Sequence, residues 1–274
     1  MEIERILPGN YHFKRYSLDY FLKKCHELGF KNIELWASGP HFHLEYFSRQ
    51  DMIDLKNKLK YYDLGIKCLT PEQAVYPVSI SHPDKKYREK SIDFFNRHIE
   101  AATFLDSPRV LVTTGIDYID VDSRLTWEWC VEALQRISKK AENSGVLMVL
   151  EGFTKYSTQT LNGSKQILKM IEEVNSPALK VLLDTDVIAT TGRETVAGFV
   201  GTLGSYINHV HFVDGNPGGH VIPGEGSLDM VNALEILENA NYNGYYGLEF
   251  FDRNYYFKPE QALEKTLEWF EQQK

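Results

Sequence analysis

The sequence predicts one closed barrel of eight strand-and-helix units, a (βα)8 fold of the α/β class, and three observations predict it. Eight short runs rich in β-branched and other apolar residues alternate with longer stretches of helical apolar spacing, repeating roughly every 30 to 40 residues. Strict alternation of this kind builds a parallel sheet, because parallel neighbours need a long crossover connection. The length of 274 residues suits one such barrel, and no linker or shift of composition divides residues 1–274 into two domains.

In chain order the strands are expected at 5–8, 32–37, 65–70, 109–114, 146–152, 180–184, 207–214 and 245–251. The first helix is expected to begin at Ser17, a capping side chain, to run through Leu18, Phe21, Leu22 and Cys25, and to stop at Gly29. The remaining helices are placed at 49–63, 84–105, 122–144, 163–174, 193–205, 227–240 and 259–272. Gly145 and Gly204 close two of them, and Gly65 follows a third. An open doubly wound sheet is the competing arrangement, but no GxGxxG turn follows the first strand. GxxxxGK[ST], GxSxG and HExxH are also missing, and the glycine-rich stretch 215–226 reads as a late strand-to-helix loop.

Composition narrows the function classes. With 43% apolar and 25% charged residues the chain is an ordinary folded protein, neither disordered nor collagen-like. Thirty basic against 38 acidic residues leave a formal charge of -8, which repels phosphate backbones, so no nucleic-acid partner is expected. Cys25, Cys68 and Cys130 are odd in number and far apart, which points to free thiols in a reducing, cytoplasmic setting. The start MEIERILPGN has no apolar core of a signal peptide. The charge-free run 195–213 reads as a buried helix, a turn and a strand, so no membrane contact is expected.

Reactive groups of a barrel sit at the C-terminal ends of its strands. In the second half of this chain each strand ends on a metal-capable side chain: Glu151 after VLMVL, Asp184 after KVLL, His211 within NHVHFVD, and Glu249 within YYGLEFF. Three carboxylates and one imidazole suit Mn²⁺ first, with Co²⁺, Mg²⁺ or Zn²⁺ as alternatives, and three converging anions call for a cation to neutralise them. Each position also has a plainer reading. Asp184 suits a helix N-cap, and His209, on the same strand face as His211, reads as a deeper core histidine. Glu151 and Glu249 follow apolar runs where a solvated charge is not expected.

Taken in order, the segments HELGFKNIELW, PEQAVYP, VLEGFTKY, LLDTD, HVHFVDG, IPGEGSLD and GYYGLEFF resemble the sugar isomerase/epimerase superfamily, built on a xylose-isomerase-like TIM barrel. Within it the chain is most similar to the fructoselysine and ketose 3-epimerases, from about Leu7 to the C-terminus. The resemblance implies one divalent cation on Glu151, Asp184, His211 and Glu249, and no organic cofactor. It also implies an enediolate two-base mechanism at carbon 3 of a ketose or fructosamine-type sugar, with Glu151 and Glu249 as the acid/base pair. Ketose 3-epimerases carry a further Glu, His and Arg where this chain has Ser157, Val187 and Pro217, which points to an altered, substituted substrate.

Around the mouth, Trp36 is expected as a sugar wall or a core aromatic, and His41, with His43, as mouth lining. Glu72 is expected to meet a cationic amine or to serve as a helix-start carboxylate, and Glu225 to fix its loop. The partner is a small sugar or sugar-amine, and a homo-oligomer is compatible with the sequence. Alternatives in the same superfamily are another isomerase such as a hydroxypyruvate isomerase, an inosose-processing enzyme, a metal-dependent endonuclease, or a barrel that binds a sugar without turning it over.

Overall fold

The computed structural model describes residues 2–74 and 77–273, so Val75 and Tyr76 of the PEQAVYP segment lie outside the described residues. Its strands are β1 (Ile6–Pro8), β2 (Asn32–Ala37), β3 (Gly65–Pro71), β4 (Arg109–Val112), β5 (Leu147–Glu151), β6 (Leu179–Asp184), β7 (Ile207–His211) and β8 (Tyr245–Leu248). The helices are α1 (Leu18–Glu27), α2 (Arg49–Tyr61), α3 (Lys85–Phe104), α4 (Ser123–Ser144), α5 (Ser164–Val174), α6 (Thr185–Thr191), α7 (Val196–Leu203), α8 (Met230–Asn239) and α9 (Pro259–Gln272). All eight strands pair in parallel in the order β1-β8-β7-β6-β5-β4-β3-β2, and a single bridge between Gly9 and Glu34 brings the two ends together. The barrel expected from the sequence is therefore present and nearly closed.

Local chemistry explains most of the helices. Ser17 accepts a hydrogen bond from the Tyr20 N–H at the start of α1, and Ser48 and Asp51 form a reciprocal capping box on α2. Helix α5 buries Ile167, Met170, Ile171 and Val174, spaced so that one stripe packs on the sheet. Gly145 ends α4 at a φ of 68°, a left-handed conformation that suits glycine. The main core lies between strands and helices, and a smaller plug of Cys68, Leu111, Val149 and Leu182 fills the barrel interior. All three cysteines are free and buried. Among the described residues, no helix is long and apolar enough to cross a membrane.

Two expectations are corrected. Strands β4, β7 and β8 stop earlier than their apolar patterns; past β4 the Thr113 N–H goes to Gln73 Oε1 at 2.8 Å, and past β7 the Val213 N–H goes to Thr185 Oγ1 at 3.0 Å, rather than to a neighbouring strand. Consequently Glu249 stands just past β8 instead of inside it. Helix α6 is new: its threonines carry no helical signature, yet Asp184 caps one end and Gly192, at a φ of 65°, closes the other. The helix expected at 193–205 shortens to α7, which begins after its Thr195 cap and stops before Gly204.

Candidate metal centre

Parallel register brings the four predicted ligands to one end of the barrel. Asp184 pairs with His211, His211 with Gly247, and Glu151 with Leu182, two residues before Asp184. One ligand atom from each of Glu151, Asp184, His211 and Glu249 lies within 4.8 Å of all the others. His211 Nδ1 is central: Glu249 Oε2 lies 2.8 Å away, and Glu151 Oε1 and Asp184 Oδ2 lie 3.6 Å away. A hollow of about 410 Å³ lined by Arg109, Asn208, Tyr242 and Gly244 opens at the opposite, strand N-terminal end, away from these carboxylates.

Asp184 is a helix N-cap and also faces the other three side chains. Its Oδ1 accepts the Val187 N–H at 2.7 Å and so caps α6, while its Oδ2 turns into the cluster. Asp184 Oδ2 and His211 Nδ1 are both buried and without a hydrogen-bond partner, although each faces the other ligands. Two orphaned buried atoms among three carboxylates and an imidazole fit a divalent cation with oxygen and nitrogen donors.

Burial pushes the Glu151 carboxyl up to about 7, against the lowering influence of His211 and with the Glu249 and Asp184 carboxylates adding to the rise. Burial also opposes ionisation of Asp184, but the neighbouring His220 and His211 outweigh it and hold that carboxyl below the usual range. For His211, burial disfavours the charged ring, yet the nearby Glu34 and Glu249 carboxylates raise its pKa well above the ordinary value.

The sequence reading missed Glu34. On β2 it alternates with apolar neighbours like any half-buried strand residue, and only barrel closure turns it inward, where it is fully buried. Its Oε1 accepts from the Tyr11 hydroxyl at 2.9 Å and the Thr70 hydroxyl at 2.5 Å, and lies 2.9 Å from His211 Nε2. Its Oε2 lies 2.7 Å from Nε2 of His209, which is a buried core histidine as expected. An ionised carboxylate only accepts, so it holds a proton on His211 Nε2 and leaves Nδ1 as the atom that faces the cluster. Gly247 makes this possible, since a Cβ there would collide with Glu34 Oε2.

His220 and Asp186 were missed as well. Both come from segments read only as a loop or a strand end, yet His220 Nε2 lies 3.3 Å from Asp184 Oδ2 and 3.6 Å from Glu249 Oε2. Trp36 is buried, stacks on Tyr11 with centroids 5.4 Å apart, and meets Phe251 edge-on at 5.9 Å. Its indole N–H donates to Glu72 at 3.1 Å. The expectation for His41 is corrected: Nδ1 lies 2.8 Å from the Asn10 amide and Nε2 2.8 Å from the Tyr16 carbonyl. Both nitrogens tie the segments after β1 and β2 together rather than lining the mouth. Glu225 accepts from Tyr255 at 2.6 Å and Lys265 at 2.7 Å, a loop anchor as expected.

Residues 22–273 match the family described as xylose isomerase-like TIM barrel. The chain belongs to this family. Among its relatives, the fructoselysine 3-epimerase of Shigella flexneri is 25% identical over 259 residues, covering 94% of this chain and 93% of its own. The D-psicose 3-epimerase of Ruminiclostridium cellulolyticum is 26% identical over 239 residues, covering 85% of this chain and 78% of its own. In fold, D-psicose 3-epimerase with D-tagatose from Clostridium cellulolyticum H10 superposes with a TM-score of 0.81 at 22% identity, over 96% of this chain and 98% of that one. The 3-keto-D-glucoside 4-epimerase from E. coli gives a TM-score of 0.83 at 18% identity, over 98% of this chain and 99% of the other.

Proposed function

We propose that this protein is a divalent-metal-dependent isomerase that epimerises a ketose, or a fructosamine-type derivative of one, at carbon 3. The observation that carries the reading is the convergence of Glu151, Asp184, His211 and Glu249 at the C-terminal end of the barrel, with the buried Asp184 Oδ2 and His211 Nδ1 turned toward the other ligands. The family and the 3-epimerase names of its relatives support the reaction class.

Glu151, Asp184, His211 and Glu249 would hold the cation, Mn²⁺ by donor chemistry, which when bound supplies Lewis acidity to a substrate oxygen. Glu151 and Glu249 come from non-adjacent strands, and both reach His211 Nδ1. One carboxylate takes the proton from carbon 3 and the other carboxyl returns a proton to the opposite face, so configuration inverts without oxidation or reduction. Trp36, packed with Tyr11 and Phe251, forms an aromatic wall for the apolar face of the sugar. Glu72, beside the indole, is the contact for a substrate amine. Ser157, Val187 and Pro217 replace polar side chains of the ketose 3-epimerases, which favours a substituted ketose over a free one.

The test is proton exchange in deuterated water, followed by NMR with D-fructose, D-tagatose, D-psicose and fructoselysine. The Mn²⁺-loaded protein should label carbon 3 and interconvert epimers, fructoselysine faster than the free ketoses. Chelator dialysis and His211→Ala should both abolish exchange. Full turnover by chelated protein, or no exchange with any of the four sugars, overturns the proposal.

A further inference from the structure

We propose that His220 contacts the substrate and sets specificity, with Asp186 as its positioning residue; the inference rests on the epimerase reading of the same site. His220 lies in the loop between β7 and α8, which buried Asp214 organises. Asp214 accepts from the backbone N–H groups of Gly215, Gly224, Gly226 and Leu228 at 2.7 to 3.0 Å, and its own backbone bridges Val221. Within this frame Gly218, Gly219 and His220 all have positive φ, at 90°, 123° and 49°. Such backbone is uncommon for histidine, so the loop is built to place this ring.

Asp186, 1% exposed in the first turn of α6, holds the tip of the loop. It accepts the Gly218 N–H at 2.6 Å and the His220 N–H at 3.4 Å, and its Oδ2 lies 3.2 Å from His220 Nδ1. A side chain at Gly215 would collide with this carboxylate. The carboxylate favours a proton on Nδ1, which leaves Nε2 to face the site. Phe251 packs edge-on against the ring at 6.1 Å, and its N–H donates to the His220 carbonyl at 3.1 Å.

Nε2 therefore stands beside Asp184 Oδ2 and Glu249 Oε2 but outside the group of four ligand atoms. The His220 side chain is 22% exposed, against 0% for His211 and 1% for Asp184, so it lies on the solvent side of the cluster. A sugar that reaches the ligands passes this nitrogen, which can bond a sugar hydroxyl. It supplies a polar contact in a mouth where Ser157, Val187 and Pro217 supply none of the family's three.

The experiment compares wild type with His220→Gln, His220→Ala and Asp186→Asn, each loaded with Mn²⁺. It measures Mn²⁺ affinity by titration, and KM and kcat for D-psicose, D-tagatose and fructoselysine. The His220 variants should bind Mn²⁺ within about twofold of wild type. They should raise KM roughly tenfold or more, the scale of one lost hydrogen bond, and by different factors for the three sugars. Asp186→Asn should raise KM less and should change the ¹⁵N signature of the His220 tautomer. Loss of Mn²⁺ binding in both His220 variants makes the ring a ligand and overturns the proposal. So do unchanged KM values with metal binding intact. If wild type acts on none of the three sugars, the epimerase reading fails first and the inference with it.

Discussion

Asp184 spends one oxygen on the first turn of a helix and the other on the ligand cluster, so at the scale of the residue structure and chemistry share one side chain. Glu151 and Glu249 were legible in the sequence because each charge follows an apolar run. Replacing either with Gln keeps an oxygen donor and removes the titrating proton. Turnover should fall by roughly 10²-fold or more while Mn²⁺ affinity falls modestly. One of the two variants should still exchange the carbon 3 proton of a single epimer, as seen by NMR in deuterated water. Wild-type epimerisation in both would make them ligands only. Glu34 was not legible, because a carboxylate that alternates with apolar neighbours looks the same whether its face meets water or a closed barrel.

Among the elements, β8 omits a side chain at Gly247, beside which Glu34 reaches both histidines of β7. Gly247→Ala would push a methyl group into the Glu34 carboxylate, with His211 Cδ2 and His209 Nε2 at 3.0 and 3.2 Å as its other neighbours. The expected cost is about 1 to 3 kcal/mol of stability from overpacking, together with weaker Mn²⁺ binding. Thermal denaturation and metal titration of the variant check this, and a wild-type Tm with wild-type affinity would show that the strand yields without disturbing Glu34. Strand positions were well read because their apolar runs are continuous in a sheet buried on both faces. Helix α6 and the early strand ends were not, since capping by Asp184 and the side-chain acceptors beyond the ladder depend on neighbours distant in sequence.

On the scale of the whole molecule, two buried histidines link stability to pH. Burial pushes His12 down to about 3, against its contact with the Pro259 carbonyl, and pushes His98 down to about 4, against its contact with the Phe94 carbonyl. Unfolded, both titrate near 6.5, so below that pH the unfolded chain binds more protons and stability falls as pH falls. From pH 7 to 5 each contributes a loss of roughly 2 kcal/mol, because the unfolded ring takes up its proton over this range while the folded ring stays neutral. In urea unfolding at pH 7 and pH 5, His98→Gln should therefore lose less stability over this interval than wild type does, the raised Glu151 and His211 groups acting alike in both proteins. An unchanged loss would mean that His98 is already protonated in the folded protein.

The sequence by itself determined the alternation of strands and helices, hence the barrel, and the four side chains at the ends of its later strands. These are local properties: period, capping and the oddity of a charge after an apolar run. Tertiary structure alone decided that Glu34 crosses the barrel to orient His211, that the glycine-rich loop folds His220 back over Asp184, and that His41 is consumed between two loops. Each of those depends on segments brought together by closure of the sheet, where distance along the chain carries no information about distance in space.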